Sequence, residues 1–205
     1  MATGVDKTVT TTGKTKGEQT RQAILDAAIA RFGRDGYRAT SVADVARDAG
    51  VGGTVAYAYF PNKESLFLAA VDEDAAGLIH EGLAIVFAEP DNRDWRRTLF
   101  FTMIDVVEHH PLARRLFAGL EPEVTARVLE IPALAELRKV CAEQLRAEQL
   151  AGVVRSDIDA ASVANGFVAI QLSLLMSLVQ LGADVAAAYA DDVTALFTAA
   201  FEPRP

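Results

Sequence analysis

The sequence predicts an all-α fold with a small N-terminal head and a larger helical body, and three observations carry that expectation. Apolar residues recur at three and four rather than alternating, and alanine and leucine are abundant, a pattern of helices rather than strands. Apolar residues make up 51% of the chain and prolines number only seven, as in an ordered globular protein. Charge is divided by region: residues 1 to 63 hold nine Lys/Arg and six Asp/Glu, a balance of +3, whereas residues 64 to 205 hold eleven and twenty-two, a balance of -11. A basic head that meets phosphates and an acidic body that does not would give such an asymmetry.

Residues 1 to 17 are rich in Thr, Gly and Lys with almost no large apolar residue, so they read as a flexible basic arm. Lys7, Lys14 and Lys16 could reach phosphates from it, or simply be solvated. Arg21 to Arg34 follow as a helix with Ile24, Leu25, Ala28, Ile29 and Phe32 on its buried face, loosened at its end by Gly33 and Gly36. Ser41 and Asp44 have the spacing of a capping box, worth about 1 kcal/mol per cap, and open a second helix ended by Gly50. Val55, Ala56, Tyr59 and Phe60 repeat the helical spacing until Pro61 stops it. Two short helices joined at a glycine form a helix-turn-helix, whose second helix would turn Thr54, Tyr57 and Ala58 toward base edges.

The wording of this segment, from TRQAILDAAIARFGRDGYRATSVADVARDAGV through YxYFPNKESLF, resembles the TetR family of bacterial transcriptional regulators over about residues 18 to 72. Position by position, the resemblance implies DNA contact by Thr40 and Ser41 at a helix start, by Thr54, Val55, Tyr57 and Tyr59, and by Lys63 at the next helix start. Family members usually place a small polar residue, a basic residue and Gly-Thr after the Gly-Val. Here Gly52, Gly53, Thr54, Val55, Ala56 and Ala58 stand instead, and two glycines offer no side chain to a base. Direct readout is therefore expected to be sparse.

Asn62 reads as the cap of a fourth helix, with Lys63 in its first turn, where free amides favour a phosphate. Its apolar spacing continues through Leu66, Phe67, Leu78, Leu83 and Phe87, which makes it a long link between head and body. A break at Ala88 to Asn92 precedes a helix from Trp95 to His109, and shorter pieces over Leu112 to Leu120 and Glu123 to Leu129 lead to an amphipathic helix over Ala133 to Leu150, closed by Gly152. Phe100, Phe101, Met103, Phe117 and Phe167, with Cys141 beside them, could enclose an apolar cavity for a small ligand or be ordinary core. The resemblance favours the cavity, because bodies of this family commonly bind effectors.

Residues 160 to 183 carry no charge, long enough to raise a membrane span. Against it stand the polar stripe of Ser162, Asn165, Ser173, Ser177 and Gln180 and the acidic flanks Asp157, Asp159 and Asp184. With a following helix over Val185 to Phe201, this segment is expected to pair with a second copy in a four-helix dimer interface, as the resemblance implies.

Enzyme signals are missing: there is no Ser/His/Asp grouping, no phosphate-cradling glycine loop and no cofactor motif. The lone Cys141 excludes an internal disulfide and fits a reducing cytoplasm, and the N-terminus lacks the pattern of a signal peptide. His109 and His110 read as a helix C-terminus donating to free carbonyls rather than as metal ligands, since adjacent helical residues diverge by about 100°. The expectation is thus a cytoplasmic homodimer that binds a palindromic double-stranded operator and is released by a small apolar or aromatic effector, without cofactor, metal or membrane. The rival is a ligand-binding module of the same fold whose DNA recognition is weakened or lost.

Overall fold

In the computed structural model, which describes residues 15–88, 92, 94–122, 130–182 and 190–203, Thr15 opens the first helix, α1 (Lys16–Ala39). Its hydroxyl accepts from the Glu18 amide at 3.3 Å while the Glu18 carboxylate accepts from the Thr15 amide at 2.6 Å. This capping box starts the helix within the stretch expected to be a flexible arm, a correction whose cause is two satisfied amides. The remainder of the arm, residues 1–14, lies outside the described residues.

Ser41 caps α2 (Val42–Asp48), its hydroxyl accepting from the Asp44 amide at 3.1 Å. Gly50, at φ 68°, makes the left-handed turn that no β-branched residue adopts easily, and α3 (Gly53–Tyr59) follows. The three helices close over Ile24, Leu25, Ala28, Phe32, Val45, Ala46 and Ala56, all at most 1% exposed. Phe32 and Tyr37 meet Phe67 edge-to-face, with ring centroids 5.0 and 4.9 Å away. Phe67 belongs to α4 (Lys63–Val86), so the head's aromatic core is completed by the helix that leaves it.

Asn62 caps α4 through the Ser65 amide at 2.8 Å, and the helix runs 24 residues, about 36 Å at the α-helical rise. It packs against α1, against α5 (Trp95–Val106), against α6 (Pro111–Phe117) and against α7 (Pro132–Leu150). A 3-10 turn, Val107–His109, joins α5 to α6. Asp159 caps α8 (Ala160–Leu181) through the Ser162 amide at 2.8 Å, and α9 (Ala190–Phe201) follows. The described residues thus form nine α-helices and no strand, the all-α architecture expected. The break near Pro90, the piece over Glu123 to Leu129 and the first part of the Val185 to Phe201 helix fall largely outside the described residues.

Two glycines read as loosening the end of α1 serve another purpose. A Cβ on Gly33 would lie 2.8 Å from the Cβ of Pro111, and one on Gly36 would lie 2.8 Å from Glu121 Oε1. Gly36 also breaks the helix at φ 84°. These are the positions at which α6 and the chain after it approach the head.

Candidate nucleic-acid interface and effector cavity

The head presents α3 outward. Ala56 and Phe60 face the core, leaving Thr54, Val55, Tyr57 and Ala58 exposed, with Val55 at 40% and Tyr57 at 52%. No charged residue stands in α3, so its surface offers one hydroxyl from Thr54, one from Tyr57 and small apolar contacts. Ser41, exposed at the start of α2, donates to the Asp44 carboxylate at 2.6 Å, which holds Asp44 below its ordinary carboxylate range.

Three of the residues expected at this surface are placed differently. Thr40 is only 2% exposed, because the extended backbone that ends α1 turns its side chain into the head. Its assignment to DNA contact is corrected, leaving Ser41 at that helix start. Tyr59 is half-buried, with its hydroxyl 3.5 Å from where a Cβ of Gly17 would be, against the first turn of α1. Lys63 reaches back across the head: its ammonium donates to the Arg38 carbonyl at 3.3 Å and sits 4.4 Å from the centre of the Tyr37 ring. An ammonium has three donors, so a phosphate would find Lys63 positioned rather than loose.

Other head cations are also paired. Arg31 binds Asp48 at 2.5 Å, Arg34 binds Asp35 at 2.8 Å and Arg47 binds Asp44. The guanidinium groups hold Asp48 and Asp35 below their ordinary range. Such exposed pairs contribute little to stability.

The body encloses a cavity of about 110 Å³ bounded by α4, α5, α6, α7 and α8. Phe100, Met103, Phe117 and Phe167 line it together. Cys141 does not line it, a correction. It lies one turn beyond Leu137, buried near Arg96, and burial pushes its thiol up to about 12, against the pull of that guanidinium. A thiol held so far from ionisation is inert. Phe101 points away, 47% exposed under the Arg97 guanidinium. Sequence reasoning missed the contribution of α4, where Val71, Ala75 and Leu78 face the cavity, and of α8, where Gln171 and Met176 do so. The signal for α4 was present as apolar residues at i, i+4 and i+7, but it was read as a link alone.

Beside the cavity a charged pair is buried. Glu148 accepts from Trp95 Nε1 at 2.9 Å and pairs with Arg96, whose guanidinium burial pulls below its ordinary value. Arg96 also lies over the Phe201 ring at 4.5 Å, tying α9 to α5 and α7.

The head and the cavity share α6. On one side its Ala113, Leu116 and Phe117 line the cavity; on the other, Pro111 is seated on Gly33 of α1. Asp74 of α4, 5% exposed, caps α6 by accepting from the amides of Leu112 at 3.0 Å and Ala113 at 2.8 Å. His110 Nδ1 lies 3.0 Å from the same carboxylate, and His109 lies 3.3 Å from Glu81. The paired histidines thus bind acidic side chains of α4 rather than helix-end carbonyls, another correction. Glu121, also buried, accepts from the Tyr37 amide at 3.0 Å and from Arg115 Nε at 2.7 Å, joining the end of α1 to α6. Among the described residues no cluster of His, Cys, Asp and Glu could hold a metal ion.

The sequence profile of the bacterial regulatory proteins of the tetR family matches residues 24–70. Over 52 residues the chain is 46% identical to the HTH-type transcriptional repressor ComR of Escherichia coli strain K12; the match covers a quarter of this chain and a quarter of that repressor's length. Among solved structures, a TetR-family transcriptional regulator from Cytophaga hutchinsonii superposes with a TM-score of 0.70 at 18% identity, covering 94% of this chain and 100% of that one. FadR of Thermus thermophilus, a TetR-family repressor solved with lauroyl-CoA, gives 0.63 at 24% identity, covering 86% and 93%. At these identities the likeness to the solved structures is one of fold.

Proposed function

We propose that this chain is a regulator of the tetR family, whose profile matches residues 24–70, and that it is a cytoplasmic repressor which binds a palindromic operator as a homodimer and releases it when a small effector fills the body cavity. In this reading residues 15–63 form the DNA-binding head and residues 64–205 the ligand-binding and dimerisation body. The observation that carries it is the double role of α6, which lines the cavity with Phe117 and Leu116 and rests on the head through Pro111 and Gly33. A ligand that moves α6 must move the seat of α1, and packed interfaces of this kind respond in discrete steps.

DNA contact is assigned to Ser41, Thr54, Val55 and Tyr57, with Lys63 and the amides at the start of α4 as phosphate ligands. The dimer is supported by α8. It is long and apolar enough to cross a membrane by length and composition, but its outer face alternates Ser162, Asn165, Ser173 and Ser177 with Ile170 and half-buried Leu174 and Leu178. A face of this mixture suits a second protein surface better than lipid. No cofactor, metal or catalytic step enters the reading.

A ligand shifts DNA affinity only by its preference for one state over the other, and the coupling is reciprocal. The test is to select a preferred site from random-sequence DNA, find a ligand by thermal shift, and measure each affinity with and without the other. A coupling of about 1 to 3 kcal/mol would weaken both by the same factor, roughly 5- to 150-fold. Equal ligand affinities with and without DNA would refute effector-controlled release by that compound. The second reading, a ligand-binding module with weakened operator recognition, is favoured by the absence of charge and the presence of Gly53 in α3; selection that enriches no site would establish it.

A further inference from the structure

We propose that the body cavity takes a single-ring, hydrocarbon-like molecule with no hydrogen-bonding group, and that Gly82 sets the size it accepts by giving Met103 a seat on α4. This rests on the effector reading above and names the chemistry of the ligand.

The surface that the described residues turn toward the space is wholly apolar. Gln171 is the one polar residue among them, and it adds no polar surface, its Nε2 donating to the Arg96 carbonyl at 3.4 Å. Arg96 and Glu148, buried beside the cavity, pair with each other. A hydroxyl or carboxylate entering this space would lose its hydration and gain no partner, whereas an apolar ring gains by leaving water. The volume of about 110 Å³ is close to the roughly 150 Å³ of an apolar cavity that takes benzene, so one ring fits.

That volume depends on a glycine away from the wall. Gly82 is buried in α4 and is not among the lining residues, whereas Met103 of α5 is. A Cβ on Gly82 would lie 2.5 Å from Met103 Cε and 2.9 Å from its Sδ, so the thioether occupies the notch that the glycine leaves in α4. Glycine inside a helix is less favourable than alanine, and here it holds the methionine back from the space. With any side chain at position 82 the methionine has to yield. It is unbranched and has three rotatable bonds, and the unfilled volume open to it is the cavity it already lines. Alanine at position 82 would therefore fill the cavity with the protein's own thioether, and truncating Met103 would extend the cavity toward the α4 backbone.

The probes are toluene, phenol and benzoate, followed by calorimetry, and naphthalene, followed by its fluorescence, on the full chain, Gly82→Ala, Met103→Ala and the double variant. Toluene is expected to bind the unaltered protein about tenfold or more tightly than phenol, which has the same size and adds a hydroxyl, and benzoate is expected not to bind. Phenol or benzoate binding as tightly as toluene overturns the apolar assignment. Gly82→Ala is expected to weaken toluene about 5- to 100-fold, yet by no more than about twofold once Met103 is alanine, because the clash is gone. Equal losses in the two backgrounds overturn the role of the Gly82 seat. Should Gly82→Ala not fold, Met103→Ala decides the matter: naphthalene bound about tenfold or more tightly than by the unaltered protein supports the proposal, and an unchanged naphthalene affinity overturns it. Toluene bound in this way without any change in DNA affinity supports the ligand chemistry while refuting release by it, so the two readings fail separately.

Discussion

Head and body solve opposite problems with the same kind of helix. In the head, charged side chains sit outside and pair with one another, Arg31 with Asp48 and Arg47 with Asp44, over a core packed around Phe32 and Phe67. The body also pairs charges on its surface, but four of its charged side chains, Arg96, Glu148, Asp74 and Glu121, are buried or nearly so, and space is left among Phe100, Met103, Phe117 and Phe167. A packed head keeps one shape under load, while a body with internal space and internal charges has interactions to exchange when the space is filled.

The contrast breaks most visibly at Glu148. Replacing it with leucine leaves the Arg96 guanidinium and Trp95 Nε1 without their partner, and removing one member of a buried pair costs about 3 to 5 kcal/mol. Urea unfolding should show a loss of that order, whereas Asp48→Ala in the head, which removes an exposed partner, should cost at most about 1 kcal/mol. Equal losses would erase the distinction between the two regions.

A smaller effect is expected at their seam. Gly33→Ala would drive a Cβ into Pro111 at 2.8 Å, and overpacking of this sort costs about 1 to 3 kcal/mol. The same variant should alter the effect of ligand on DNA affinity while leaving ligand affinity in the absence of DNA unchanged. A destabilised protein with intact coupling would place the transmission elsewhere than α6.

Within the head, Tyr57→Ala should weaken the selected site about tenfold and leave random DNA unaffected, a bidentate or stacking contact being worth about 1 to 3 kcal/mol. Lys63→Ala should weaken both alike and lower the salt slope by about one unit. Gel shifts across a salt series separate the two patterns, and an unchanged slope would remove Lys63 from the phosphate contacts. The smallest effect is expected from Gly53→Ala. Nothing lies within 4 Å of the added Cβ, so the helix should gain about 0.4 to 1 kcal/mol, seen as a rise in Tm.

What could be read in the sequence follows from the range of each signal. Ser41 and Asn62 act within three residues, so the starts of α2 and α4 were legible. Periodicity fixes the direction a side chain takes around its helix, which brought Phe100, Met103, Phe117 and Phe167 to one cavity. It does not fix distance along the axis: Cys141 shares a face with Leu134 and Leu137 but lies beyond the end of the space. Thr40 adjoins an exposed cap and is buried, because one extended residue reverses the direction of the chain. Contacts such as Gly33 with Pro111 and Tyr37 with Glu121 join residues about eighty apart, and no local pattern marks them.

Glu121 has a bearing on how far this protein can be taken apart. Its carboxylate joins the Tyr37 amide to Arg115, beside a Gly36 that has no room for a side chain. If the head binds DNA as proposed, it would be a natural module to graft onto a foreign sensor body. A graft cut at Lys63 would carry Gly33, Gly36 and Tyr37 but abandon Pro111, Arg115 and Glu121, the groups those residues are shaped to receive. A working chimera therefore has to import α6 and the residues just after it along with the head, so the transferable unit is discontinuous in sequence.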